Sequence, residues 1–367
     1  MIKLTEPDIG EEELCEIKKV FDSKHLVQGD KVEEFENKVK GYLEVKHVIA
    51  VSSGTAALHL ALLSLGIGAR DEVIVPDFTF PATANMVEVI GATTKFVDIK
   101  LDSLCIDTDK IEKMITVNTK AIIPVHEFGQ SADMDKIIEV AKKYNLNIIE
   151  DAACALGAEY KDKKVGTIGD IGCFSLHPRK AITTGEGGLV VTNNDEYAER
   201  IRILRNHGLS YVNGRAQFTM AGLNYRMTDI QGAIGVAQMK KLDNINEKRK
   251  EIARKYNELF KHMKNIRLPE EESYGKHVWQ TYHILLDEKI DRDKLILMLK
   301  ERQIETNFGA YSVHNQPYYK QKYNLKDKDF INSNFAYKNG LALPLYIKLE
   351  YEEIEYIVKK METLIDG

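Results

Sequence analysis

The sequence predicts an α/β protein: a large unit with a mostly parallel central sheet flanked by helices, followed by a smaller C-terminal α+β unit. Three observations predict it. Short runs rich in Val and Ile alternate with longer stretches of helical period through the first two-thirds of the chain, as strand–helix–strand crossovers do. From Ile230 to Met263 the pattern becomes long, charged and helical, which reads as a connector into a second unit. The 367 residues, 44% of them hydrophobic, are enough to bury about three-quarters of the unfolded chain's surface, so neither disulfides nor metals are needed. The two units are expected to span 1–240 and 241–367.

In chain order, strands are predicted at His47–Val51, Glu72–Val75, Thr94–Val97, Ala121–Val125, Asn147–Ile149, Gly172–Ser175 and Gly188–Thr192. Helices are predicted at Thr55–Leu65, Ala82–Val89, Met134–Lys143 and Tyr197–Leu204. The first of these is apolar almost all round and is expected to be internal. After Pro269-Glu270-Glu271 the sequence predicts an aromatic strand at Val278–Leu286 and a helix at Asp293–Glu301. A second strand is expected near Ile304–Phe308, and a closing helix at Glu352–Leu364.

Lys and Arg number 51 against 56 Asp and Glu, a formal charge of −5, so no general basic field is present to attract nucleic acid or anionic lipid. Cys15, Cys105, Cys154 and Cys173 show no CxxC spacing, and no HExxH motif accompanies them, so free thiols and no metal site are expected. The segment Met1–Phe21 is acidic and amphipathic, which gives the expectation of a cytoplasmic protein without a secretory leader. The uncharged stretch His47–Ala69 has the length of a membrane span, but Ser52-Ser53-Gly54-Thr55 interrupts it and favours a buried strand, a turn and a buried helix.

Three constellations carry chemistry. Ser52-Ser53-Gly54-Thr55 follows a strand and opens a helix, which gathers unpaired N–H groups and the positive end of a helix dipole where a phosphate would bind. Read alone, Ser53 or Thr55 is equally a plain helix cap. Glu150-Asp151 ends an apolar strand, at the edge of a parallel sheet where ligands sit, and an acid there can face a cationic group; a cap for the next segment is the plainer reading. Lys180 lies in a loop rich in glycine and polar turn residues, and burial beside cations such as Arg179 would lower its pKa toward that of a nucleophile. No GxGxxG follows a predicted strand, which argues against a dinucleotide site.

Together these pieces fit one cofactor, pyridoxal 5′-phosphate (PLP): a phosphate cup, a carboxylate for the pyridine nitrogen and a lysine for the imine. Phe80, after the strand ending near Pro76, would supply an aromatic for the ring, although a core position is the commoner fate of a single Phe.

Six blocks make the resemblance specific: Leu26–Gly29, Ser52–Leu58, Pro76–Phe80, Glu150–Ala153, Ser175–Gly188 and Asn224–Met227. In order and over nearly the whole chain, they resemble the DegT/DnrJ/EryC1/StrS family of sugar aminotransferases. The resemblance implies the fold-type-I PLP architecture related to aspartate aminotransferase, as a homodimer with active sites at the subunit interface. Lys180 would be the lysine that binds the cofactor covalently and Asp151 the partner of its ring nitrogen. Gly54, Thr55 and Ser175 would bind the phosphate and Phe80 would stack on the ring. Asn224 would reach the phosphate of the neighbouring subunit's cofactor. Cys154 stands where the family has Gln, His or Cys near the cofactor, as a packing residue and not a nucleophile. His314 resembles part of a segment lining the sugar site.

The expected reaction moves an amino group from an amino acid, with glutamate as donor, to a nucleotide-linked 4-keto-6-deoxy sugar. The loop His177–Gly188 resembles members that aminate C4 more than those that aminate C3. The competing readings are a C3-keto sugar or a small phosphorylated ketone as acceptor, and a non-enzymatic PLP-binding regulator. A related sugar dehydratase, which has His in place of the lysine, is disfavoured by Lys180. A nicotinamide oxidoreductase is disfavoured by the missing glycine fingerprint.

Overall fold

The computed structural model describes residues 1–366. Seven strands build the central sheet: β1 (His47–Val51), β2 (Glu72–Pro76), β3 (Thr93–Val97), β4 (Thr119–Ile122), β5 (Asn147–Asp151), β6 (Ile171–Ser175) and β7 (Gly188–Thr192). Their order is β1-β7-β6-β5-β4-β2-β3. Strands β3, β2, β4, β5 and β6 pair in parallel, whereas β7 runs against both of its neighbours, β1 and β6. The residues of β5 and β7 are buried on both faces, apart from a half-buried Asn147, as a helix-covered sheet requires.

Helix α1 (Glu11–Ser23) packs on the helix Asp229–Gln238, and five helices cover the sheet: α2 (Asp30–Leu43), α3 (Gly54–Ser64), α4 (Ala82–Val89), α5 (Met134–Tyr144) and α6 (Asp195–Arg205). In α2 the buried Val32, Phe35, Val39 and Leu43 recur at helical spacing and form one stripe. Helix α3 is internal as expected, with Ala57, Leu60, Ala61 and Leu62 fully enclosed. It packs on β6 and β7 and points its N-terminus at the carboxyl edge of the sheet.

The long charged helix expected from Ile230 is two helices, α7 (Asp229–Gln238) and α8 (Leu242–Phe260). The N–H groups of Lys240 and Lys241 bond three residues back, to Ala237 and Gln238, and this tighter turn ends α7. Before α7 lies an exposed hairpin, β8 (Leu209–Val212) and β9 (Arg215–Phe218). Its turn is Asn213-Gly214, both at positive φ (49° and 75°), a hairpin signal that strand patterning alone passes over.

The C-terminal unit holds β10 (Ile266–Arg267), β11 (Tyr282–Leu286) and β12 (Gly340–Leu343), paired antiparallel in the order β10-β11-β12. Helix α8 and two further helices, α9 (Arg292–Glu301) and α10 (Tyr351–Asp366), share its core, which contains Tyr256, Phe260, Tyr282, Leu299 and Ile357. Two expectations are corrected here. The aromatic strand starts at Tyr282 because Trp279 adopts a left-handed φ of 51° and the N–H groups of Val278 and Gln280 bond to the carbonyls of Gly129 and Phe128 instead. Residues 304–308 form single bridges, Ile304 with Ile2 and Asn307 with Ala342, and the strand is β12.

The first residues also depart from the expected division at residue 240. Ile2 donates to Gln303 O and accepts from Glu305 N, and Leu4 O accepts from Leu345 N, so the N-terminal segment is stitched to the C-terminal unit. Among the described residues, no helix is long and apolar enough to cross a membrane.

Candidate active site

A cavity of about 530 Å³ opens at the carboxyl ends of β1, β2, β5 and β6, the edge where the crossovers of a parallel sheet leave a crevice. Its floor comes from the large unit, and Gln280, Asn307, Gly309 and Leu343 of the C-terminal unit form its far wall.

One end of the cavity is built by the N-terminus of α3. Ser53 Oγ accepts from Ala56 N at 3.0 Å, so the plain cap reading is correct for Ser53. That cap leaves the N–H groups of Gly54 and Thr55 without a protein partner among the described residues, and both residues line the cavity. Ser175, the last residue of β6, stands opposite. A Cβ at position 54 would come within 2.8 Å of Ser175 Cβ, so glycine is what allows the helix end and the strand end to meet. Two free N–H groups, two hydroxyls and a helix dipole suit an anion.

Glu150 and Asp151 point to opposite sides of β5, as consecutive strand residues do. Behind the strand, Glu150 accepts from Gly166 N (2.7 Å), Ile168 N (2.7 Å), Gly169 N (2.6 Å) and His126 Nε2 (2.9 Å). His126 Nδ1 accepts from Ala132 N at 3.1 Å, so the ring hydrogen lies on Nε2. In front, Asp151 Oδ2 accepts from Thr83 Oγ1 at 2.6 Å and Oδ1 from Ala153 N at 3.2 Å. Burial pushes the Asp151 carboxyl up, and the Thr83 hydroxyl, the Ala153 N–H and the Lys180 ammonium pull it partly back.

The loop bearing Lys180 is tied at its base, where Leu176 N donates to Gly187 O at 2.9 Å and Thr184 N to Leu176 O at 3.1 Å. Two side chains hold its tip: Gln280 Nε2 donates to Arg179 O (2.9 Å) and Arg249 to Lys180 O (3.3 Å). The Lys180 amine reaches the cavity and donates to Cys154 Sγ at 3.0 Å. Burial works to lower its pKa, but the sulfur of Cys154 and the carboxyls of Asp151 and Glu127 outweigh that and hold the amine above its ordinary value. This corrects the expected role of Arg179, whose side chain is exposed while acidic groups surround the amine. Burial, the leading effect, holds the Cys154 thiol up as well, so the sulfur is a partner of the lysine and not a ready nucleophile.

Phe80 is no core residue: it is 66% exposed and lines the cavity edge-on to Tyr311, with ring centroids 6.2 Å apart. Gly54, Thr55, Phe80, Asp151, Cys154, Ser175 and Lys180 are thus brought to one cavity.

Two residues stand apart from it. Asn224 is exposed and does not line the cavity. His314 is fully buried outside the lining, its Nδ1 2.7 Å from Asp77 Oδ2 and 2.9 Å from Ser312 Oγ, which corrects the expectation that it lines the acceptor site. The ring locks its segment to the turn after β2. Sequence reasoning missed Thr83 and Glu127. Thr83 lies one residue into α4, three residues beyond Phe80, and nothing in its spacing marks it as the partner of a carboxylate.

The DegT/DnrJ/EryC1/StrS aminotransferase family profile matches residues 7–362. GDP-perosamine synthase of Caulobacter vibrioides is 40% identical over 335 residues, covering 90% of this chain and 89% of that one. PseC of Helicobacter pylori, an aminotransferase involved in the biosynthesis of pseudaminic acid, superposes with a TM-score of 0.94 at 31% identity over 100% of both chains. The PLP form of the putative sugar aminotransferase Spr1654 of Streptococcus pneumoniae gives a TM-score of 0.93 at 28% identity, over 100% of this chain and 98% of that one. The residues present fit the cofactor, since an amine, a buried carboxylate and an anion cradle that only glycine permits share one cavity. The chain therefore belongs to the DegT/DnrJ/EryC1/StrS aminotransferase family and is a PLP-dependent aminotransferase.

Proposed function

We propose that the protein is a sugar aminotransferase of glycan biosynthesis that takes its amino group from L-glutamate and delivers it to C4 of a nucleotide-linked 4-keto-6-deoxy sugar. The observation that carries this reading is the Lys180 amine on the floor of the cavity that also holds Asp151 and the α3 cradle. The names of the relatives, a GDP-sugar synthase and a pseudaminic acid enzyme, support the sugar and the nucleotide.

Gly54, Thr55 and Ser175 bind the cofactor phosphate through the free N–H groups and the hydroxyls. Asp151 holds the ring nitrogen protonated, and Phe80 covers the ring. When bound, PLP would supply an electron sink beside the donor α-carbon. Lys180 would anchor the cofactor through its Nζ, and the same Nζ would carry a proton from the donor α-carbon to the cofactor carbon in one half-reaction and from that carbon to the acceptor carbon in the other. Cys154 Sγ accepts from that Nζ and orients it. The protein acts as a homodimer in which the partner subunit's Asn224 reaches the phosphate. Exposure of Asn224, and of the apolar Leu14, Phe21, Leu26 and Val27, supports this.

The test is to incubate the PLP-loaded protein and L-glutamate with a panel of nucleotide-linked keto sugars and small keto phosphates, and to identify products by mass spectrometry. An aminated nucleotide sugar together with 2-oxoglutarate is expected. Amination of a keto phosphate alone would remove the sugar and leave the aminotransferase. In the same assay Lys180→Ala is expected to lower turnover by about 1,000-fold or more.

A further inference from the structure

Glu127 takes no part in the reading above, yet its carboxyl lies on the wall shared by the main cavity and a small adjoining cavity of about 30 Å³. It is 5% exposed. The backbone that places it is unusual. Glu127–Gly129 is a single tight turn in which Phe128 has φ 54° and Gly129 φ 97°. The turn is pinned from both sides. His126 is fixed by Glu150 and Ala132, while Gln280 N and Val278 N donate to the carbonyls of Phe128 and Gly129 at 2.9 and 3.2 Å. A non-glycine residue held in the left-handed region by this many contacts is the kind of local strain that collects at working sites.

We propose that Glu127 is a second carboxyl of this site that works in its protonated form, as a hydrogen-bond donor to the ring oxygen that PLP carries beside its reactive carbon. The inference rests on Lys180 being the reactive amine and on nothing about the acceptor.

Two buried carboxyls, Asp151 and Glu127, face the one amine of Lys180, whose single positive charge offsets only one carboxylate, which favours a proton on the other. Asp151 has both a hydroxyl and an N–H to stabilise its ionised form, whereas Glu127 has the N–H of Phe128 alone. The proton therefore belongs on Glu127. Its other titratable neighbours do not reverse this. Cys154 and Cys105 have thiols pushed up by burial. Across the small cavity, burial pushes His277 down to about 3 and His283 to about 4, so neither ring brings a positive charge at neutral pH. Arg267 at its mouth is paired with Asp102, and Glu270 adds only negative charge. Burial, reinforced by the charge of Asp151 and opposed by Lys180 and the Phe128 N–H, raises the Glu127 carboxyl to about 8. At pH 7 it is a neutral acid able to donate, and above about 8 it becomes an anion that repels the same oxygen.

Two measurements on the protein without substrates test this. Infrared spectra of the apoprotein at pH 7 are expected to contain a protonated-carboxyl band that is absent from Glu127→Gln and fades as the pH passes about 8. Equilibrium PLP binding is expected to weaken above that pH in the wild type. Glu127→Gln, an isosteric donor that never ionises, lacks that limb, and Glu127→Leu binds about tenfold more weakly at neutral pH. Identical infrared spectra for wild type and Glu127→Gln at pH 7, or superimposable pH–affinity curves, would overturn the proposal. Glu127→Gln carries the test if Glu127→Leu does not fold. A failure confined to Glu127 leaves PLP binding by the wild type intact, which separates it from a failure of the Lys180 assignment.

Discussion

Glu150 and Asp151 are neighbours on β5, and both are almost wholly buried, at 0% and 4% exposure, yet the spaces on the two sides of the strand treat them differently. Behind β5, four donors between 2.6 and 2.9 Å saturate the Glu150 carboxylate and tie the His126 turn and residues 166–169 to the sheet. In front, Asp151 receives two donors and opens onto a cavity of about 530 Å³. The saturated carboxylate holds the chain in place, and the undersatisfied one keeps lone pairs for something that arrives later. Donor count, and not burial or charge, separates structure from chemistry at this strand end.

Breaking the front side is expected to have the largest effect. Asp151→Asn retains the shape but cannot hold a proton on a ring nitrogen by its charge, so kcat/KM should fall by about 100- to 1,000-fold. Stability should not fall. Because burial raises the Asp151 carboxyl in the folded state, its charge opposes folding above its ordinary pKa, and removing it leaves the melting temperature unchanged or higher. A clear drop in melting temperature would place Asp151 with Glu150 as a structural group.

Breaking the back side should do the opposite. Glu150→Gln sets an NH2 group against two of four donors, at a cost of about 2–3 kcal/mol in unfolding free energy. Denaturant titration measures this, and a change below about 0.5 kcal/mol would sink the structural reading. Activity lost in this variant should follow the unfolded fraction and recover under stabilising conditions.

The same contrast explains what the sequence made legible. The strand ends and the α3 cap were readable because each rests on a local pattern: an apolar run, a turn, then Ser or an acid at the edge. Lys180 was readable as part of a set of such edges. Residues reaching the cavity singly from irregular backbone were not. Glu127 sits on a turn whose conformation depends on Gln280 and Val278, more than a hundred residues away, and Gln280 and the Asn307–Gly309 stretch reach the cavity from two further segments. His314 is expected at the acceptor site only by resemblance to a family segment, and a matching segment does not distinguish a ring facing a ligand from one sealed against a buried aspartate. The strand β12 escaped because Gly-Leu-Ala-Leu contains no β-branched residue, whereas Ile304–Phe308 has the propensity but no continuous partner strand.

The smallest expected effect sharpens the comparison most, because it changes the donor count without touching either carboxylate. Thr83→Val keeps the volume of the side chain and removes the hydroxyl that donates to Asp151 Oδ2 at 2.6 Å. A hydrogen bond to the ionised form favours that form, so its loss moves the Asp151 carboxyl further upward from a value that burial has already raised. If activity depends on the Asp151 carboxylate, the acid limb of the kcat/KM profile moves to higher pH, and kcat/KM at the optimum falls by about tenfold or less. Thr83→Ser restores the hydroxyl and should return the limb to its original position. A Thr83→Val profile that overlays the wild type would mean that the hydroxyl does not tune Asp151, and that donor count in front of β5 carries no weight in the chemistry.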